Sequence, residues 1–185
     1  HIVPQGDTTG IPVRLSDAME LIDRTTDFIV SNQHLQLVDE LASSKRFKNI
    51  KLLNYVDEYD PDVQKQFAAM TYRLSLDTYL VVFRGTDDTL IGWKEDFHMT
   101  YMDHVPAQKR ASSYLHHVMK EFPKGRFLVA GHSKGGNLAT YACSYLPDSL
   151  FERVDAIYSY DAPGLNKAII ETEGYQRTSP NIRRF

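Results

Sequence analysis

The chain has 185 residues, of which 42% are hydrophobic and 24% charged, enough for one domain with a sizeable core. A formal net charge of -3 gives nucleic acid no reason to bind, and no apolar run approaches the length of a transmembrane helix. One cysteine, Cys143, rules out an intrachain disulfide framework and suits a reducing, cytoplasmic compartment. The chain begins at His1 rather than Met, so a piece of a longer protein is expected.

Residues 1 to 13 carry two glycines and two prolines and read as irregular. Ser16 then stands where an N-cap belongs. Ala18, Leu21, Ile22, Thr25 and Ile29 follow at helical spacing, which predicts a helix from 17 to about 30. Asn32 heads a second helix with Leu35, Val38, Leu41 and Ala42 inside. Lys45, Arg46 and Lys48 at its end read as a solvated terminus.

Ile50 to Tyr59 is open between a short strand and a buried loop. Asp57, Glu58, Asp60 and Asp62 read as an exposed acidic turn, because no Gly stands where a calcium loop bends. Gln66 to Leu74 and Thr78 to Arg84 form a predicted hairpin around Ser75-Leu76-Asp77. Its second arm, Tyr79 to Phe83, is a continuous apolar run and therefore a central strand. Ile91 to Phe97 reads as a short helix and 98 to 105 as irregular. Pro106 suits the first position of the next helix. Ala111, Tyr114, Leu115, Val118, Met119 and Phe122 give that helix one apolar stripe, and Pro123 and Gly125 end it.

The organising stretch follows. Phe127 to Ala130 is a short apolar strand. Gly131-His132-Ser133-Lys134-Gly135 fits G-x-S-x-G. Gly135, Ala139, Ala142, Cys143 and Leu146 then recur at helical spacing until Pro147. A strand that reverses sharply into a helix strains its middle residue and leaves no room for side chains two positions away. Glycine at 131 and 135 meets that need, so Ser133 reads as the nucleophile of an elbow. The Lys134 amide falls at the helix N-terminus, where it suits an oxyanion. Asp155 to Tyr160 is one more strand, ending in the turn Asp161-Ala162-Pro163-Gly164. The tail from 165 is polar, with a strand starting at Ile182. Strands and helices alternate from residue 78 onward, which predicts right-handed crossovers and a mostly parallel sheet with helices on both faces.

Three motifs in order carry a resemblance: Val82-Phe83-Arg84-Gly85-Thr86; Gly92-Trp93 with Asp96; and Gly131-His132-Ser133-Lys134-Gly135-Gly136. Together they resemble class 3 (fungal-type) lipases. With Lys134 and Tyr158-Ser159-Tyr160-Asp161-Ala162-Pro163-Gly164, the chain looks closer to a little-characterised bacterial family of lipase-like hydrolases. The resemblance spans roughly residues 45 to 165. It implies the α/β-hydrolase fold over a single domain, 1–185. Residues 1–45 would be its N-terminal helical part, and 46–185 its sheet core, truncated at the C-terminus.

The resemblance also implies roles. Thr86 would be an oxyanion donor beside the Lys134 amide. Trp93 and Asp96 would be scaffold, and residues 98 to 105 would lie where related lipases carry a lid. Lys134 departs from the lipase pattern, which has an apolar residue there; its ammonium is expected at an anionic substrate group or in solvent. The fold's order is Ser, acid, His. Asp161 ends the strand after the elbow strand and is the candidate acid, although related lipases place theirs further on. None of the seven histidines follows Ser133. His132 is expected to be packed, and His98 or His104 are the upstream alternatives for the base. His116 and His117 are adjacent on a helix and do not share the face a metal site needs.

The expected activity is hydrolysis of a carboxylic ester, of a lipid or another acyl compound, through an acyl-enzyme, with no metal or organic cofactor. The alternatives are a non-catalytic binding module on the same fold, or acyl transfer or thioester cleavage at the same site. The base is expected from outside this chain, and the exposed sheet edge is expected to favour self-association.

Overall fold

The computed structural model describes residues 12–20, 32–60, 62, 65–85 and 104–185. The strands are β1 (Val13–Arg14), β2 (Lys51–Asp60), β3 (Lys65–Arg73), β4 (Thr78–Phe83), β5 (Arg126–His132), β6 (Val154–Tyr160) and β7 (Ile182–Arg184). They form one seven-stranded sheet in that order. Neighbours from β1 to β4 are antiparallel, and neighbours from β4 to β7 are parallel. The sheet is therefore mixed. Its parallel half begins where the strand–helix alternation begins in the sequence, because a helical crossover returns the chain in the same direction and a tight hairpin reverses it.

Two helices pack on one face: α3 (Pro106–Glu121), against β3, and α4 (Lys134–Ser144), against β4, β5 and β6 and with every residue buried. Leu115, Val118, Met119, Phe127, Val129, Leu138 and Ile157 meet there in the main core, each fully buried. Burial of each such side chain contributes about 1.5–3 kcal/mol. The opposite face carries a smaller cluster in which Ala18 of α1 (Leu15–Glu20) packs with Leu52, Met70 and Tyr72. Val38 and Leu41 of α2 (Asn32–Ser43), with Leu80 and Val82, line an apolar cavity of about 580 Å³ on that side.

Several expectations are corrected by this arrangement. The stretch left open between strand and loop belongs to a ten-residue strand, Lys51–Asp60. Alternation is hidden in its sequence for two reasons. A bulge separates Leu53 from Val56 in the pairing with β3, and Asn54 within it takes a φ of 51°. Leu52 and Leu53 are also both buried, one in each cluster. Asn is among the few residues that adopt that conformation at small cost, and its side-chain amide donates to Glu121 at 2.8 Å.

Of the acidic residues only Asp62 lies in an exposed turn, where its N–H donates to Asp60 Oδ1 at 3.1 Å. Asp57 and Glu58 sit within β2 and pair with Arg84 at 3.1 Å and Arg110 at 2.9 Å. The tail read only as polar contains α6 (Lys167–Ile170) and α7 (Glu173–Thr178), each with a side-chain cap, from Asn166 and Thr172. A further short helix, α5 (Asp148–Phe151), precedes β6. Helix α1 begins at Leu15, so Ser16 lies inside it, with its hydroxyl on Asp17. The remainder of the helix predicted to residue 30, and the one predicted at Ile91 to Phe97, lie outside the described residues.

The hairpin 66–84, the helix starting at Pro106 and the strand at Ile182 stand where the sequence puts them. Arginines tie off the two central helices. The Arg153 guanidinium donates to the carbonyls of Met119, Phe122, Pro123 and Gly125 at the end of α3. Arg177 donates to Leu146 O at 2.8 Å beyond α4 and pairs with Asp148. Cations there satisfy the last carbonyls and complement the helix dipole.

Candidate active site

Ser133 sits between β5 and α4 with φ 53° and ψ -128°. A residue with a side chain is strained there. The surrounding glycines permit it. A Cβ on Gly131 would lie 2.1 Å from the Gly135 carbonyl carbon, and one on Gly135 would lie 2.2 Å from the Phe83 carbonyl oxygen. The helix start thus rests directly on the ends of β5 and β4. Gly85 closes the other side, where a Cβ would lie 2.9 Å from His132 O and 3.7 Å from the Ser133 Cβ. The chain therefore passes Ser133 one residue before Thr86. Thr86 itself lies outside the described residues, with Trp93, Asp96, His98 and the segment 98–103.

The first amides of a helix have no acceptor within it, and Lys134 opens α4. A partial positive charge therefore stands beside the Ser133 hydroxyl. The Lys134 side chain faces neither solvent nor an open cleft. It is fully buried, and its ammonium donates to the main-chain oxygen and to Oε1 of Gln66 on β3, both at 2.8 Å. This corrects the expectation of an exposed or substrate-facing ammonium. The physical reason is placement: helix α4 lies over the end of β4, so the side chain of its first residue crosses that strand to the next. A buried cation needs such oxygens to offset its lost hydration.

Asp161 leaves β6 at the level where Ser133 leaves β5. His132 pairs with Tyr160 in register, and the Ser133 N–H donates to Tyr160 O at 2.9 Å. Asp161 also has a positive φ, 44°, and its carboxylate is exposed. Its own N–H donates to Phe185 O at 2.9 Å. Both candidates thus stand at the carboxyl edge of the parallel half, where ligands bind in open α/β sheets. A cavity of about 430 Å³ opens beside Asp161, bounded by Asn137, Thr140, Pro163, Tyr175 and Arg184.

The histidines divide. His132 is exposed, contrary to the expected packing, because it is the last residue of β5 and points away from the core. His104 Nδ1 lies 3.1 Å from the Tyr141 hydroxyl, and its ring meets those of Tyr141 and Tyr145 edge-on. Tyr141 is eight residues into α4, about 12 Å along the axis from Ser133. His104 is therefore held away from the serine. The same contact, with Val105 fully buried, puts the end of segment 98–105 against α4. Cys143 is no second nucleophile: it is fully buried, and burial pushes its thiol well above the usual range. Among the described residues, no group of three His, Cys, Asp or Glu side chains could hold a metal ion. Nor is any described helix long and apolar enough to cross a membrane.

Gln108 and Asn137 were not singled out in the sequence, and both are buried side-chain amides bonded to each other at 2.9 Å. The one signal for Asn137 in the sequence is the polar series Asn137, Thr140 and Ser144 at helical spacing along α4.

A half-parallel sheet, a glycine-flanked serine with positive φ at its carboxyl edge, and a buried helix leading away define a lipase-like α/β-hydrolase fold. Residues 41–185 match the model of the Mbeg1-like family, and the chain belongs to that family. Among solved structures, it is similar to the lipase of Rhizopus microsporus var. chinensis, with 19% identity over 73% of this chain and 52% of that one, at a TM-score of 0.51. A Rhizomucor miehei lipase in complex with its propeptide matches with 18% identity over 74% and 49%, at 0.50. A fungal lipase in an inhibitor complex matches with 17% identity over 74% and 57%, also at 0.50. These identities speak for the fold alone, and the chain spans about half the length of the lipases it matches. No curated protein matches the chain.

Proposed function

We propose that this protein is a serine hydrolase that cleaves a carboxylic ester, of a lipid or another acyl compound. The observation that carries the reading is the Ser133 backbone, φ 53° and ψ -128°, held between β5 and α4 by glycines that admit no Cβ. A fold retains such strain where it presents a side chain for chemistry.

In this reading the Ser133 hydroxyl attacks the ester carbonyl carbon. The Lys134 N–H and Thr86 stabilise the oxyanion that forms. The tetrahedral intermediate collapses to an acyl-enzyme with loss of the alcohol, and water then releases the acid. Asp161 orients the histidine that takes the Ser133 proton. Among the upstream histidines, His104 is bonded to Tyr141 and does not serve as that base.

The test is a fluorophosphonate probe followed by intact mass, with p-nitrophenyl esters and acyl thioesters as substrates. One adduct on the protein and none on Ser133→Ala supports the reading. No adduct supports instead a non-catalytic binding module on the same fold. Faster turnover of thioesters than of oxygen esters would assign the acyl chemistry differently.

A further inference from the structure

We infer that Asn137 is the positioning residue that fixes the Asp161 turn against Ser133; its catalytic consequence rests on the serine-hydrolase reading. Asn137 lies one helical turn beyond Ser133 and is 2% exposed. Its backbone N–H donates to Ser133 O at 3.3 Å. Its side-chain Nδ2 donates to Pro163 O at 3.2 Å and Gly164 O at 3.0 Å. One residue therefore holds the carbonyl of the candidate nucleophile with its main chain and the far end of the candidate acid's turn with its side chain.

The near end of that turn is fixed by the sheet, through Ser133 N–H on Tyr160 O and Asp161 N–H on Phe185 O. The far end has no strand to join. A turn held at one end only would let Asp161, with its strained positive φ, relax to a commoner conformation. The turn also packs closely on the helix, since a Cβ on Gly136 would lie 2.7 Å from the Ala162 Cβ.

The Asn137 amide cannot flip without loss. Its Oδ1 accepts from Gln108 Nε2 at 2.9 Å, and Gln108 Oε1 accepts the Val105 N–H at 3.0 Å. Gln108 is 3% exposed. A reversed Asn137 would set its amide donors against a donor and its oxygen against two carbonyls. The relay Val105–Gln108–Asn137–Gly164 thus orients Asn137 from the start of α3 and carries that orientation to the acid turn.

Two readouts test this on the whole chain with Asn137→Ser, which is too short to reach the turn, and with the isosteric Asn137→Asp as the second variant. The first needs no activity. Backbone amide order parameters for residues 161, 162, 164 and 165 should fall from near 0.85 to below about 0.6 in either variant, while those of 127–131 stay unchanged. An unchanged turn would overturn the inference. The second readout uses p-nitrophenyl butyrate. Asn137→Ser should lower kcat by roughly 10²-fold with KM within about twofold, the scale of a misplacement near 1 Å. Asp161→Asn should do the same, and the double variant should be no slower than Asp161→Asn alone. Losses that multiply would show that Asn137 acts by some route other than Asp161. A wild-type chain that neither turns over nor takes a fluorophosphonate sinks the hydrolase reading, and the order parameters then decide the positioning by themselves.

Discussion

Lys134, which follows β5, donates from its ammonium to both oxygens of Gln66 on β3, across the intervening β4. The proposed oxyanion donor and this buried cation belong to one residue. Lys134→Met keeps the chain length and removes the donors, leaving buried Gln66 oxygens short of their charged partner. The expected cost is about 1–3 kcal/mol in urea unfolding. A variant as stable as the parent would mean that the lysine is tolerated there rather than required.

Strain at Ser133 should be measurable. Ser133→Ala removes the hydroxyl and keeps the Cβ; Ser133→Gly removes both. At φ 53° and ψ -128° glycine is the better tolerated residue. Ser133→Gly should exceed Ser133→Ala by about 1 kcal/mol in stability, and neither should take a fluorophosphonate label. Equal stabilities would argue that the turn relaxes in solution.

The glycines of the elbow should be unequal to the glycine of the acid turn. An alanine methyl at Gly131 meets backbone at 2.1 Å, whereas nothing lies within 4 Å of a Cβ at Gly164. Gly131→Ala should destabilise by more than about 3 kcal/mol or fail to fold, and Gly164→Ala should stay within about 0.5 kcal/mol. Thermal unfolding of the pair decides; similar melting temperatures would remove the close approach as the reason for Gly131.

Thr86→Ala addresses the second proposed donor. Loss of one oxyanion contact typically lowers kcat by roughly 10²- to 10³-fold. A change confined to KM would assign Thr86 to ground-state binding.

Alkali should unfold the protein through its tyrosines. Burial pushes the Tyr141 hydroxyl up to about 12, and burial with the hydrogen bond to Asp57 does the same to Tyr55. Both are therefore raised above the unfolded value near 10, so the folded state holds protons that the unfolded state releases. The contribution is complete below pH 10 and is lost as the pH rises from 10 toward 12. Tyr141→Phe should flatten part of that decline in a urea midpoint series across this range. An unaltered slope would count against it.

The sequence alone determined what depends on neighbours along the chain. The elbow was legible because glycine at 131 and 135 and small residues down one helix face answer a local steric demand. The apolar run Tyr79 to Phe83, the helix started by Pro106 and the alternation after residue 78 were legible for the same kind of reason, as was the family resemblance. Tertiary structure decided what depends on contacts distant in sequence. Both faces of β2 are covered and its register slips at Asn54, so periodicity could not reveal it. Gln66 lies 68 residues from Lys134, and only the sheet order tells that a lysine beside the serine ends in the core. Gln108, Asn137 and Gly164 meet because α3, α4 and the turn after β6 converge at one edge. Short helices such as Lys167–Ile170 are set by caps and packing, since four residues are too few to carry a period.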